Sequence, residues 1–256
     1  MAAAKAGVEK VILGQSEVVE ESLITLLAGG HVLLIGVPGL AKTKLVQTLG
    51  AVLGLEDKRV QFTPDLMPAD ILGSEILEEG EDGKRFFRFV RGPVFSQLLM
   101  ADEINRASPR TQSALLQAMQ ERRVSIAGQN HDLPQPFHVL ATQNPIEQEG
   151  TYPLPEAQLD RFFLKLMVKY PSAQDLATIL NRTTGVEEVA AQAVISGDRI
   201  MELRSLARQI PIAEDIQQYT INLVLGTHPD QPPATEMVQR YVRFGASPRG
   251  AQALIL

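Results

Sequence analysis

The segment His31-Val-Leu-Leu-Ile-Gly-Val-Pro-Gly-Leu-Ala-Lys-Thr43 decides the fold. Its first five residues are a short apolar run bounded by glycine, the pattern of a parallel strand buried on both faces. From Lys42 to Leu53 the sequence reads as a helix. The connection from Gly36 onward is therefore the loop of a strand–loop–helix unit. A glycine-containing loop at that place turns successive N–H groups and a helix N-terminus toward phosphate oxygens. Lys42 supplies charge to the phosphates, and the Thr43 hydroxyl is suited to magnesium. Ala41 departs from the glycine of the strict pattern. The expected nucleotide-binding stretch is Gly36, Val37, Pro38, Gly39, Leu40, Ala41, Lys42, Thr43 and Lys44, with ATP and Mg2+ as ligands.

Working outward, Ser16 to Leu27 has helical apolar spacing and is stopped by Gly29-Gly30. Arg59 to Thr63 reads as a second strand, and Pro68-Ala-Asp70 as the start of a short helix. Ile76 to Glu79 and Arg85 to Val90 flank Gly80-Glu-Asp-Gly83, a hairpin whose turn dipeptide is Asp82-Gly83. Strict alternation puts Phe87 and Phe89 on one face of it and Phe86 on the other, so that at least one ring is open to a partner unless the sheet or a neighbour covers it. Gln97 to Ala101 is another strand. Ser108-Pro109 gives a cap and a first-turn proline to a helix ending near Arg122. A second hairpin is expected from Val124 to Leu133 with its turn at Gly128-Gln-Asn130, followed by strands at Phe137 to Ala141 and Phe162 to Val168.

Strands alternating with helices imply an α/β domain with a mostly parallel sheet flanked by helices. Tyr170-Pro171 marks its expected end. Beyond it, residues 172–182, 197–209, 213–226 and 236–244 are helical and no strand pattern intervenes. The expected organisation is thus 1–170 as the nucleotide-binding α/β domain and 171–256 as a small all-α domain.

A second signal follows the third core strand. Leu98-Leu-Met-Ala-Asp102-Glu103 places two acids where a buried strand ends, the edge at which open α/β sheets bind ligands. Asp102 is suited to hold the magnesium shell through water, and Glu103 to orient or deprotonate the water that attacks the γ-phosphorus.

These motifs resemble those of the AAA+ ATPases and, within them, the MoxR family of the helix-2-insert clade. Gly36 to Thr43 is similar to the MoxR Walker A loop, which often carries this alanine, and Ala101-Asp-Glu-Ile-Asn-Arg106 to its Walker B extension. The resemblance implies a P-loop NTPase sheet with a small helical lid, and an ATPase working as a homo-oligomeric ring, expected as a hexamer. By the same resemblance Asn144, in Ala141-Thr-Gln-Asn-Pro145, holds the attacking water, and Arg161, in Leu159-Asp-Arg-Phe162, reaches the neighbouring subunit's nucleotide. An arginine so placed contributes roughly 10³–10⁵ in rate in phosphoryl transfer. Read without the resemblance, Asn144-Pro145 is a turn and Arg161 a surface arginine paired with Asp160. Ala246-Ser-Pro-Arg249-Gly250 resembles sensor 2, with Arg249 on the nucleotide in cis or in trans, and Val11 and Ile12 match the adenine-contacting segment. The catalytic set implied is Lys42, Glu103, Asn144 and Arg161.

The two hairpins match the clade's insertions, which family members use to grip or push protein clients. The resemblance also implies a chaperone-like role in metal- or cofactor-linked maturation, with a partner bearing a von Willebrand factor A domain. The family's small domain usually runs longer than the stretch after Arg249, so the lid is expected to be incomplete.

Charge separates this reading from a nucleic-acid motor of the same clade. Lys plus Arg number 24 against 30 Asp plus Glu, a net charge of −6 in 256 residues. The first hairpin tip, Glu78 to Asp82, is acidic and Ala127 to Asn130 is neutral, where a strand-tracking pore needs basic loops. Arg122-Arg123, Lys84-Arg85 and Arg88 stand against that argument. A nucleotide-dependent switch with little turnover is the third reading, opposed by Glu103 and Arg161. The chain has no cysteine, so thiolate and disulfide chemistry are excluded. His31, His131, His138 and His228 lack metal-ligand spacing and read as solvent or strand-edge histidines. With no secretory h-region and no apolar window near the roughly 18–20 residues of a membrane span, a soluble cytoplasmic protein is expected.

Overall fold

A computed structural model describes residues 1–81, 83–146, 150–184 and 190–256. Asp82 of the expected turn dipeptide lies outside the described residues. The first strand, β1 (Val32–Ile35), is buried along its whole length, and α3 spans Lys42–Leu53. Two helices precede β1: α1 (Ala2–Glu9), which the sequence reading did not anticipate, and α2 (Ser16–Ala28). Gly29 ends α2 in a left-handed conformation, φ 83°, where glycine carries no Cβ penalty.

The chain continues through β2 (Asp57–Gln61), α4 (Pro68–Leu72), β3 (Gly73–Glu79), β4 (Arg85–Arg91) and β5 (Leu98–Asp102). A single 3-10 turn at Ile104–Arg106 leads to α5 (Pro109–Glu121), whose N-cap Ser108 accepts from Thr111 N. Next come β6 (Arg123–Ile126), β7 (Gln129–Asp132), β8 (His138–Gln143), α6 (Glu156–Leu159) and β9 (Leu164–Met167).

Five strands form one parallel sheet in the order β2-β5-β8-β1-β9. Alternate residues of its strands face different layers. Leu33, Leu99, Val139 and Ala141 pack with α5, while Val32, Leu34, Leu98, Met100 and Leu140 pack with α1, α2 and α3. Both faces are covered, which is why these strands read as continuous apolar runs rather than alternating ones.

The hairpins stand apart from this sheet. β3 and β4 pair antiparallel with Leu77 opposite Phe87 and Glu78 opposite Phe86. Phe89 is tucked in at the root, edge-on to Phe95 and stacked on His131, whereas Phe86 and Phe87 are 48% and 69% exposed. In the second hairpin the turn is Ala127-Gly128, with φ 48° and 80°, not the expected Gly128-Gln-Asn130. Register explains the shift, because Ile126 pairs directly with Gln129 and leaves two residues for the turn.

Helices α7 (Ala173–Thr183), α8 (Gly197–Ala207), α9 (Glu214–Leu225), α10 (Glu236–Tyr241) and α11 (Pro248–Ile255) follow. α8 packs on α2 and buries Ile200 in the sheet's core layer, while α9 and α11 pack together. Among the described residues no helix is long and apolar enough to cross a membrane.

Candidate functional site: a phosphate loop and a distant arginine cleft

Strand register brings the loop and both acids to one edge. Ile35 pairs with Gln143 and Ala101 with Ala141, so Gly36, Asn144, Asp102 and Glu103 all leave the sheet at the carboxyl ends of β1, β8 and β5. Gly36 is held by contact: a Cβ there would lie 2.9 Å from Val168 Cβ and 3.0 Å from Val168 O. Gly39, at φ 84°, faces open space instead, as a residue over which phosphate is to lie requires. Ala41 takes φ 55°, the left-handed conformation for which glycine stands in the strict pattern. Lys42 Nζ donates to Gly36 O at 2.6 Å and Val37 O at 3.0 Å, folding its charge over the loop. Burial lowers the pKa of Lys42, with Asp102 and Glu103 acting in the opposite direction. Thr43 and Lys44 open α3, whose positive end faces the same space.

Asp102 is 8% exposed and fully engaged. Its Oδ1 accepts from Thr142 Oγ1 at 2.6 Å, and its Oδ2 accepts from Arg59 Nη2 at 2.6 Å and Nε at 3.2 Å. Glu103 takes a left-handed conformation, φ 54°, and its N–H donates to the same Thr142 hydroxyl at 2.8 Å. Its Oε2 accepts from Gln61 Nε2 at 2.9 Å and from Arg106 Nη1 at 3.1 Å. Asn144 is 4% exposed, with Oδ1 accepting from Ile146 N, while its Nδ2 has no hydrogen-bond partner among the described residues. A buried amide donor left unpaired is costly, and a ligand oxygen at this edge would satisfy it.

The segment carrying Val11 and Ile12 borders the same edge. Gln15 Nε2 donates to Lys169 O at 2.8 Å, just past Val168, whose N–H donates to Ile35 O. Ile12 is buried in the layer shared with α2 and α3, and Val11 packs against it.

Arg161 and Arg249 lie elsewhere. Leu164 pairs with Val32 at the start of β1, and Phe163 N donates to His31 O at 2.8 Å. Arg161 therefore sits at the strands' amino ends, about 17 Å from the loop at some 3.3 Å per strand residue. Arg249 lines the same cleft, which also holds Gly29, His31, Arg122 and Asp160. Asp160 is bonded by Ser247 and by Arg249 Nη1 at 3.4 Å. Among the described residues no hydrogen bond or ion pair engages the Arg161 side chain.

A phosphate loop joined to a strand-end Asp-Glu pair, on this five-strand order, is the arrangement of one large ATPase family, and the comparisons agree. The family model for ATPases associated with various cellular activities matches residues 31–164. Chaperone MoxR1 of Mycobacterium tuberculosis is 45% identical over 97% of this chain, which spans 65% of that relative's length. Protein MoxR of Paracoccus denitrificans is 31% identical, with 98% of this chain and 78% of the relative covered. The chain belongs to the MoxR family of AAA+ ATPases. A crystal structure from Cytophaga hutchinsonii, assigned as an ATPase, is 41% identical with a TM-score of 0.88, covering 98% of this chain and 75% of the other. The MoxR fold thus comprises the parallel P-loop sheet and the C-terminal helices.

Sequence reasoning missed Arg59 and Gln61, which bond Asp102 and Glu103, and the bond of Arg106 to Glu103 in this MoxR chain. A signal for the first two existed: in Arg59-Val-Gln-Phe-Thr63 the polar residues alternate with buried Val60 and Phe62, so both project from one face beside β5. Among the described residues no group of three or more His, Cys, Asp or Glu side chains is placed to hold a metal.

Proposed function

We propose that this MoxR-family chain hydrolyses ATP as a subunit of a homo-oligomeric ring, a hexamer, in which each nucleotide is shared by two protomers. The observation that carries the reading is the separation of Lys42, Asp102, Glu103 and Asn144 from Arg161 and Arg249 at opposite ends of β1. One chain cannot bring both ends to one triphosphate, whereas a neighbour presenting its arginine cleft to the loop completes the site.

Within the site, Lys42 exchanges its bonds to Gly36 O and Val37 O for phosphate oxygens. Thr43 and Asp102, hard oxygen donors of the kind magnesium prefers, would hold that ion through its waters. Bound there, it neutralises charge on the phosphates. Glu103 takes the proton of the attacking water while Asn144 Nδ2 holds that water in place. The neighbour's Arg161 and Arg249 stabilise charge spread over the transferring group.

The turnover drives remodelling of protein clients, supported by the exposed Phe86 and Phe87 on a hairpin outside the sheet. A partner with a von Willebrand factor A domain and a role in metal- or cofactor-linked maturation belong to the same proposal. So does the division into an α/β domain, 1–170, and a helical lid, 171–256. The deciding experiment mixes Arg161→Ala with Glu103→Gln. Each is inactive alone, and mixed rings recover turnover at seams pairing an intact Glu103 with an intact Arg161. Verified mixed rings without recovery would remove the shared site.

A further inference from the structure

The cleft at the start of β1 holds more positive charge than the two arginines singled out by motif. Arg122, Arg161, Arg208 and Arg249 all line it, in a volume of about 380 Å³. Asp160 is the one acidic side chain among the described residues lining it, and its oxygens are already bonded to Ser247 and Arg249. A chain of net charge −6 thus gathers four guanidiniums around one committed carboxylate.

Arg122 reaches the cleft from an unusual backbone position. It follows α5 at φ 54°, where glycine or asparagine is the favoured cap and arginine is not. Its guanidinium turns back over the α2–β1 loop, Nη2 donating to Gly29 O at 3.4 Å. Arg208 follows directly after α8 and is exposed. The two are close enough to act on a third group. Arg204, buried beneath them, is pushed down to about 10, first by burial and then by the charges of Arg122 and Arg208. Such crowding is unfavourable until an anion enters, and guanidinium forks match phosphate oxygens.

We infer that Arg122 and Arg208 are further binding residues for the neighbouring protomer's triphosphate, extending Arg161 and Arg249 to a four-arginine clamp. The inference rests on the shared-site reading, and two arms of one experiment separate the two. Arg122→Ala, Arg208→Ala and Arg161→Ala are each assayed for ATP turnover alone and mixed with Glu103→Gln.

The expected result is a loss of about 10-fold or more for Arg122→Ala and Arg208→Ala alone, the scale of one charge-assisted phosphate contact. Each regains turnover on mixing, because the Glu103→Gln subunit lends its intact arginines to the variant's intact loop. Binding of a fluorescent ATP analogue to the unassembled variants stays at the wild-type level, since their own loops are untouched. Should Arg161→Ala recover in the mixture while Arg122→Ala and Arg208→Ala keep wild-type turnover, or stay inactive when mixed, the clamp is overturned and the shared site stands. Should Arg161→Ala fail to recover, the shared site falls and the clamp with it. Arg208 has no side-chain partner among the described residues, so Arg208→Ala decides the matter even if Arg122→Ala does not fold.

Discussion

Gln61 Nε2 donates to Glu103 Oε2 across 2.9 Å, and Arg106 holds the same oxygen from 3.1 Å. In the proposed reaction Glu103 takes a proton from water, and one oxygen of its carboxylate is thus tied to protein donors. Releasing it requires breaking the bond to a neighbouring strand, and one such bond is worth about 1 kcal/mol. Gln61→Ala is expected to raise basal ATP turnover by roughly 5-fold in steady-state assays. A fall in turnover would instead mean that Gln61 positions Glu103 for reaction.

Lys42 and Glu103 occupy one edge yet serve different stages of the proposed reaction. There Lys42 meets phosphates in the ground state, so Lys42→Ala is expected to weaken nucleotide binding by more than 10-fold. Glu103→Gln keeps the shape of the side chain and loses its capacity as a base. It should bind ATP like wild type and turn over at least 100-fold more slowly. Equilibrium binding of a fluorescent ATP analogue, set beside phosphate release, distinguishes the two, and equal binding defects would contradict the assignment.

Asn144 makes a sharper case because its Nδ2 is a buried donor with no partner among the described residues. Asn144→Asp retains volume and replaces that donor by an acceptor, which in the proposed site would face the attacking water. The expected outcome is a loss of turnover of about 100-fold together with a lower melting temperature, since a carboxylate then occupies a buried amide's place. A large drop in melting temperature with turnover retained would make Asn144 a structural turn residue only.

The elements around the phosphate loop were legible because local pattern and tertiary role agree there. Lys42–Leu53 is helical as read, and β1 differs by one residue. α1 escaped the reading because its alanine-rich start carries few large apolar residues, although Ala4 and Val8 are buried at helical spacing. Arg161 was singled out only by resemblance. Its local sequence equally suits a surface pair with Asp160, and the structure instead pairs Asp160 with Arg249, 89 residues away. No local pattern encodes such a meeting. The same holds for His31 and His138, read as solvent or strand-edge residues but buried at the starts of β1 and β8, beneath the arginine cleft.

Those two histidines give the protein a defined acid response. Val139 N donates to His31 Nδ1, so His31 Nε2 carries the proton facing Met119 O. Arg204 donates to His138 Nε2 across 2.8 Å, so His138 Nδ1 carries the proton facing Gly30 O. Both rings are neutral, and neither has room for a second proton. Burial pushes His31 down to about 4, offset in part by the Met119 carbonyl and reinforced by Arg122 and Arg204. His138 is lowered well below 6.5 for the same leading reason. The unfolded chain, with histidines near 6.5, binds protons that the folded chain refuses, so stability is full above that pH and falls toward pH 4. For His31 alone the loss is on the order of 3 kcal/mol. Thermal melts from pH 7.5 to 5, above the range where most carboxylates titrate, should fall by several degrees. His31→Gln should start lower and fall less steeply, because an amide takes up no proton in this range. Parallel slopes for wild type and variant would assign the acid sensitivity to other groups.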